Sequence, residues 1–180
     1  MNKRLGLYFI LVMMMTGTFL VVKAQEKKQA IPEEASRLQL FVGKWSGTFT
    51  YTNDKKESVK LTSYMNFNSI ADGFGVFGVE SADDPKLGKM RSSDLMGYDP
   101  YDKKLHCFTV DNTGICHDHS CTWKTPDHLY MEHKSMRSGT IYREMIDLVF
   151  KDKETIEFNE TVTLDDAVSE TTLGVYKKVK

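Results

Sequence analysis

Few of the features that make a protein's function easy to read are present in this chain. Its 180 residues hold three cysteines, four prolines and two tryptophans. Three cysteines are an odd count and too few for a disulfide-stapled scaffold, so the fold must rest on apolar burial. Lysine and arginine total 24 against 25 acids, with no basic block. That balance argues against nucleic acid or an anionic membrane as partner. There is no Gly-x-Ser-x-Gly elbow, P-loop or dinucleotide fingerprint. Gly73, Gly75 and Gly78 have the wrong spacing for one and read instead as strand bends or close approaches.

One apolar run is long enough to span a membrane, and it lies at the N-terminus. Lys3 and Arg4 precede an almost wholly apolar Leu5 to Val22, and Val22-Lys23-Ala24 follows. The pattern predicts a secretory signal peptide over 1–24, cleaved after Ala24, with an uncleaved anchor as the alternative. No cysteine follows the cleavage region, which argues against a lipoprotein anchor. The expected location is periplasmic or extracellular, with no stable membrane anchor after cleavage. Cleavage removes Lys3, Arg4 and Lys23 and no acid, taking the net charge from −1 to −4. Residues 25–35 read as a leader and 36–180 as a single domain, long enough for a real core.

Pro32-Glu33-Glu34 fits a helix first turn, Leu38 and Phe41 share a face, and Gly43 can end the segment. One short helix is predicted over about 33–41. Beyond it the apolar residues alternate with period two. Trp45, Phe49 and Tyr51 begin the pattern, and Val59, Leu61, Met65 and Phe67 continue it. Further strands are predicted at 74–79, 93–98, 104–111, 114–123, 128–134, 139–150, 154–164 and 169–179. Turn signals between them include Asp99-Pro100, Asn112 to Gly114, Pro126-Asp127, Ser138-Gly139 and Asp165-Asp166. The acid pairs Asp83-Asp84 and Asp165-Asp166 read as solvated loop tips, with a weak Ca²⁺ role as the alternative. About ten short antiparallel strands joined by tight loops define an all-β protein. A meander of hairpins favours an up-and-down barrel over a sandwich, because closure removes exposed edges.

Gly43-Lys44-Trp45, after a short helix, resembles the Gly-x-Trp start of the calycins, which include lipocalins, fatty-acid-binding proteins and nitrobindin-like barrels. The resemblance implies that Trp45 closes the barrel base beneath a basic residue of the last strand, Lys177 or Lys178. Met96-Gly97-Tyr98-Asp99-Pro100, with Lys103-Lys104 and Asp111, resembles the centre of a family of secreted bacterial calycin-like proteins. That resemblance covers residues 36 to 178 and implies a barrel of eight to ten strands. It brings no activity and no catalytic residue. Nitrobindin-like barrels hold haem through one histidine, which makes His117, His119, His128 and His133 candidate axial ligands.

All five histidines and all three cysteines lie between His106 and His133. If strands 104–111 and 114–123 close at Asn112-Thr113, His106 lies opposite His119 and Phe108 opposite His117. One face then carries His106, Phe108, Val110, Ile115, His117, His119, Cys121 and Trp123, and its bulk places it inside. The other face carries Cys107 and Cys116. If Trp123 pairs with His128, Tyr130 and Glu132 join the inner face. In strand 139–150, Glu144 alternates with Tyr142, Ile146, Leu148 and Phe150, which puts Glu144 inside and Arg143 outside. An inward carboxylate needs a partner.

The cysteines read as free thiols. Cys116 and Cys121 sit about 17 Å apart on one extended strand, and Cys107 and Cys116 about 7–8 Å apart diagonally. Both separations exceed the disulfide range.

These readings predict an exported barrel that sequesters or transports a small, partly apolar ligand. The candidate lining is His106, Phe108, His117, His119, Trp123, Tyr130, Glu132, Tyr142 and Glu144, with Tyr64, Phe67 and Phe77 as further wall residues. Two histidines at i, i+2 and a third across the hairpin can bind one metal, so His106, His117 and His119 are candidate ligands, with Glu132 or water in the fourth position. The competing classes are a metal-dependent enzyme using those histidines, a haem-binding barrel, and a structural envelope protein whose barrel is filled by its own side chains. No catalytic residue is singled out.

Overall fold

A computed structural model describes residues 30–84 and 88–180. The predicted signal segment 1–24 and residues 25–29 of the leader lie outside the described residues. A short helix α1, Glu33–Arg37, leads into a 3-10 turn at Leu38–Phe41. Pro32 caps α1 with an extended ψ of 149°, its carbonyl accepting from the Ser36 N–H at 2.9 Å. Ten strands follow: β1 (Gly43–Thr52), β2 (Ser58–Ile70), β3 (Gly75–Asp84), β4 (Gly88–Asp99) and β5 (Lys104–Asp111) form the first half. The second half is β6 (Cys116–Thr125), β7 (His128–Arg137), β8 (Thr140–Asp152), β9 (Thr155–Leu164) and β10 (Ala167–Lys178).

Each strand pairs antiparallel with its chain neighbours, and β1 pairs with β10 to close the barrel. Period-two patterning makes this wall: in β8, Glu144, Ile146, Leu148 and Phe150 are buried while the residues between them are more exposed. Closure brings large rings against small residues. A Cβ on Gly174 would lie 2.2 Å from the Phe49 ring, and one on Gly78 would lie 2.3 Å from the Phe67 ring. Both glycines are needed for close approach, the reading the sequence suggested for Gly78.

The helix plugs one end of the barrel. Phe41 packs edge-on against Phe150 at 5.0 Å and against Phe67 at 5.5 Å. Trp45 is 1% exposed and donates its indole N–H to the Phe41 carbonyl at 2.7 Å. The Lys178 ammonium lies 5.0 Å over the Trp45 ring, so Lys178 is the last-strand cation at that position. Lys177 instead donates to Thr155 Oγ1 at 2.6 Å. Trp123 belongs to this base as well: it donates to the Glu34 carbonyl at 3.1 Å and faces Phe150. Trp123 thus stands on the inner face that the alternation predicted, at the helix end of the barrel.

The β5–β6 hairpin differs from expectation by one residue. Asp111 pairs with Ile115 across a three-residue loop, Asn112-Thr113-Gly114. Gly114 sits at φ +88°, the left-handed position that such a loop requires. Asp111 Oδ1 accepts from the N–H groups of Thr113 and Ile115 and fixes the turn. The extra residue slides β5 against β6, so Cys107 faces His119 and Thr109 faces His117. A one-residue slip exchanges the two faces of a strand, and β5 is therefore inverted from the prediction. Leu105 and Cys107 are buried, whereas Phe108 is 45% exposed. Cys121 is also buried, and Cys116 is exposed.

A second irregularity lies between Trp123 and Thr125, where Trp123 pairs with Leu129 and Thr125 with His128. It turns Leu129 and Met131 inward and Tyr130 and Glu132 outward. Tyr64 and Phe77, at 51% and 41% exposure, lie on the outer surface, while Phe67 is buried as expected.

Candidate functional site

Four adjacent strands bring ionisable side chains together inside the barrel. β6 supplies His117 and His119, β7 His133 and Arg137, β8 Tyr142 and Glu144, and β9 Glu160. His117 and Glu144 are buried at 6% and 8% exposure, and His119 at 2%. His117 Nδ1 lies 2.5 Å from Glu144 Oε2, and His119 Nε2 lies 3.3 Å from the same oxygen. The His133 ring stacks on His117, centroids 4.3 Å apart and planes within 8°. The Arg137 guanidinium donates to His117 Nε2 and lies 3.5 Å over the Tyr142 ring. The Tyr142 hydroxyl donates to Glu144 Oε2 at 3.3 Å.

These contacts orient the two imidazoles. Arg137 can only donate, so His117 Nε2 is an acceptor and the His117 proton sits on Nδ1, facing Glu144. His119 Nδ1 lies 3.4 Å from the Cys107 carbonyl and donates to it. Its Nε2 turns toward Glu144, and that buried nitrogen has no hydrogen-bond partner. It is near Glu144 but misaligned for a hydrogen bond.

Burial by itself would raise the Glu144 carboxyl, but the contacts from His117 and His119 outweigh it and hold Glu144 well below the usual carboxylate range. Burial, then the hydrogen bond and charge of Glu144, pushes Glu160 up to about 8. Burial lowers the His133 imidazole.

Two more acids face the interior. Glu80 accepts from Ser63 Oγ at 2.7 Å and from the Tyr176 hydroxyl, and burial raises its pKa. Asp94 is 7% exposed and accepts from Thr109 Oγ1 at 2.7 Å. Burial pushes Asp94 up to about 6.

Of the residues the sequence pointed to, His117, His119, Tyr142 and Glu144 meet in this cluster. His106, Phe108, Tyr130 and Glu132 do not, because the two register changes put them on the outer wall. There His106 bridges Asp102 at 2.8 Å and Asp118 at 3.2 Å, Glu132 pairs with Arg143 at 2.6 Å, and Lys124 lies 3.9 Å over Tyr130. The candidate metal set His106, His117 and His119 is thus split across the wall, and Glu144 takes the third place. His128 is also outside, paired with Asp147 at 2.6 Å beside an outer groove of about 970 Å³. That leaves His117, His119 and His133 as inward imidazoles. The Glu144 and Glu160 carboxyls are packed among them.

Arg137, Glu160, Asp94 and Glu80 were missed by sequence reasoning, and His133 was named only as a candidate haem ligand. Glu160 had a usable signal, since it alternates with Ile156, Phe158 and Val162. His133 and Arg137 share a face with Leu129 and Met131 and needed only the correct β7 register.

The register itself is testable. Phe108→Ser is expected to change unfolding free energy in urea by no more than about 0.5 kcal/mol, as for an exposed side chain. An inward Phe108 would lose about 3 kcal/mol or more.

A closed ten-stranded antiparallel barrel with a helix across its base is a calycin-like fold. Two solved structures share it. A protein of M. tuberculosis, Rv2717c, superposes with a TM-score of 0.62 at 10% identity, over 84% of this chain and 100% of that one. The S-type phycobiliprotein lyase CPES from Guillardia theta superposes with a TM-score of 0.55 at 10% identity, over 85% of this chain and 94% of that one. No family model and no curated protein matches the sequence.

Proposed function

We propose that this protein is an exported barrel that binds a small, partly apolar molecule at its inner wall, for sequestration or transport. One observation carries the reading: the inner wall changes character along the same neighbouring strands. Towards the helix it is Cys121, Leu129, Met131, Ile146 and Leu148. Further along it is His117, His119, His133, Tyr142 and Glu144.

Burying ionisable groups is costly unless they are paired, and a barrel that needed only to fill itself would be more stable with aliphatic side chains there. Sites that take small molecules combine an apolar wall with a few convergent polar groups and perturbed titratable residues, and barrel interiors house them repeatedly. The apolar end would take the body of the ligand. Arg137, Tyr142 and His133 would orient its polar end. The signal-like segment before residue 25 supports export.

The experiment is native mass spectrometry of protein purified from its own host. A one-to-one small molecule is expected, and Arg137→Ala is expected to reduce its occupancy at least several-fold. The same mass tells whether the chain begins at Gln25. An empty wild-type barrel, or a ligand retained in full by Arg137→Ala, would sink the reading.

A further inference from the structure

We infer that His117, His119 and Glu144 form a binding site for one divalent transition-metal ion, with zinc the best match. One ligand atom from each residue lies within 4.8 Å of the other two. Zinc bonds of about 2.0–2.2 Å in a tetrahedron place neighbouring ligand atoms roughly 3.3 Å apart. The His119 Nε2 to Glu144 Oε2 separation is already 3.3 Å. The His117 to Glu144 contact at 2.5 Å must open by less than 1 Å. Two imidazoles and a carboxylate are a borderline nitrogen and oxygen set that suits zinc better than calcium or magnesium.

The state of His119 is the independent observation. Its Nδ1 is held by the Cys107 carbonyl, which turns Nε2 into the cluster. A backbone carbonyl on the far nitrogen is the arrangement that orients metal-bound histidines. That nitrogen is fully buried and has no hydrogen-bond partner, an unfavourable state that a metal ion would relieve. Glu80 and Asp94 add carboxyls to the same interior. Three protein ligands leave a fourth position for water or for an anionic group of a bound molecule.

Arg137 opposes loading. While it donates to His117 Nε2, the His117 proton occupies Nδ1, the atom the metal needs. Loading moves that proton from Nδ1 to Nε2, with none lost, and Arg137 must leave the imidazole. The ion and the guanidinium are therefore alternatives at His117. This site lies on the same stretch of inner wall as the proposed ligand site but does not depend on it, since a barrel without an organic ligand can still bind the ion.

The mature protein, stripped with a chelator, is titrated with Zn²⁺ alone and then with Co²⁺ as a spectroscopic substitute. One equivalent is expected to bind, with the intense visible absorption of low-coordinate cobalt. Glu144→Gln and His119→Gln are each expected to weaken binding by about 100-fold or more, beyond the loss typical of outer-shell changes. Arg137→Met is expected to tighten it. The double variant His106→Ala/Cys116→Ser, on the outer wall, is expected to bind as wild type does. Circular dichroism on every variant separates a lost site from a lost fold, and the His119 and Glu144 variants back each other up. Native mass spectrometry of the same samples scores the organic ligand separately, so the two readings can fail independently. Folded wild-type protein that takes up no zinc overturns the inference. So does uptake that persists in both inner variants, or that disappears in the outer-wall double.

Discussion

Trp45→Ala is expected to lower the unfolding free energy by about 3–5 kcal/mol. A domain of this size has about 5–15 kcal/mol in total, so roughly a fifth or more of its stability would be lost. The ring is 1% exposed and sits where the helix meets the first strand. Three losses coincide. The largest is the buried indole surface and the cavity left behind. The second is the hydrogen bond to the Phe41 carbonyl at 2.7 Å, which leaves a buried acceptor unpaired. The third is the surface beneath the Lys178 ammonium. Trp45→Phe separates them: it keeps most of the packing and loses the hydrogen bond, so a cost of about 1–3 kcal/mol is expected. Urea unfolding followed by circular dichroism measures both, and Trp123 fluorescence reports on the same base. A Trp45→Ala loss below 1 kcal/mol would mean that this ring does not hold the plug in place.

The parts of this molecule that were legible in the sequence were those governed by periodicity within one strand. β8 alternates cleanly, so Tyr142 and Glu144 were read inward without help from any neighbour. β6 was read correctly for the same reason, which placed His117, His119 and Cys121 inside. What failed was the relation between strands. Whether β5 shows its odd or its even residues to the core depends on the number of residues in one turn. Asn112-Thr113-Gly114 was read as a two-residue closure when Gly114 marks a three-residue loop. The signal was present, since Asp111 followed three residues later by glycine suits that turn. Composition misled as well: Phe108 and Val110 look like core residues, yet Leu105 and Cys107 are the buried pair. In β7 one irregular residue near Lys124 reversed the assignment of Tyr130 and Glu132. The cluster as a whole was beyond single-strand reading, because Arg137, Glu144 and Glu160 lie on three strands and their relation depends on the registers of β7, β8 and β9.

Asp94→Asn is expected to stabilise the protein at pH 8 and to have little effect at pH 4. Asp94 is buried on β4 and faces Thr109. Burial, reinforced by the nearby charge of Glu80, pushes its carboxyl from 3.8 up to about 6, and the Thr109 hydroxyl offsets only part of that. The sign follows from proton binding. Between about pH 4 and pH 6 the folded protein holds a proton on Asp94 that the unfolded chain has released, so stability falls as pH rises through this window. Below it both states are protonated and the penalty is absent. Above it the penalty is complete, and two units correspond to about 3 kcal/mol at most. Asparagine keeps an oxygen for the Thr109 hydroxyl and has no charge to bury. The expected gain is therefore about 1–3 kcal/mol at pH 8, shrinking to about zero by pH 4, as measured by urea unfolding at each pH. A gain of equal size at both pH values would mean that ionisation is not its source. A loss at pH 8 would mean that the Asp94 carboxylate is paired with a cation in solution. Asp94 and Glu144 are both buried inner-wall acids, displaced in opposite directions because one meets a hydroxyl and the other two imidazoles. The pH dependence of Asp94→Asn therefore tests whether local partners, and not depth of burial alone, decide which interior acids carry charge.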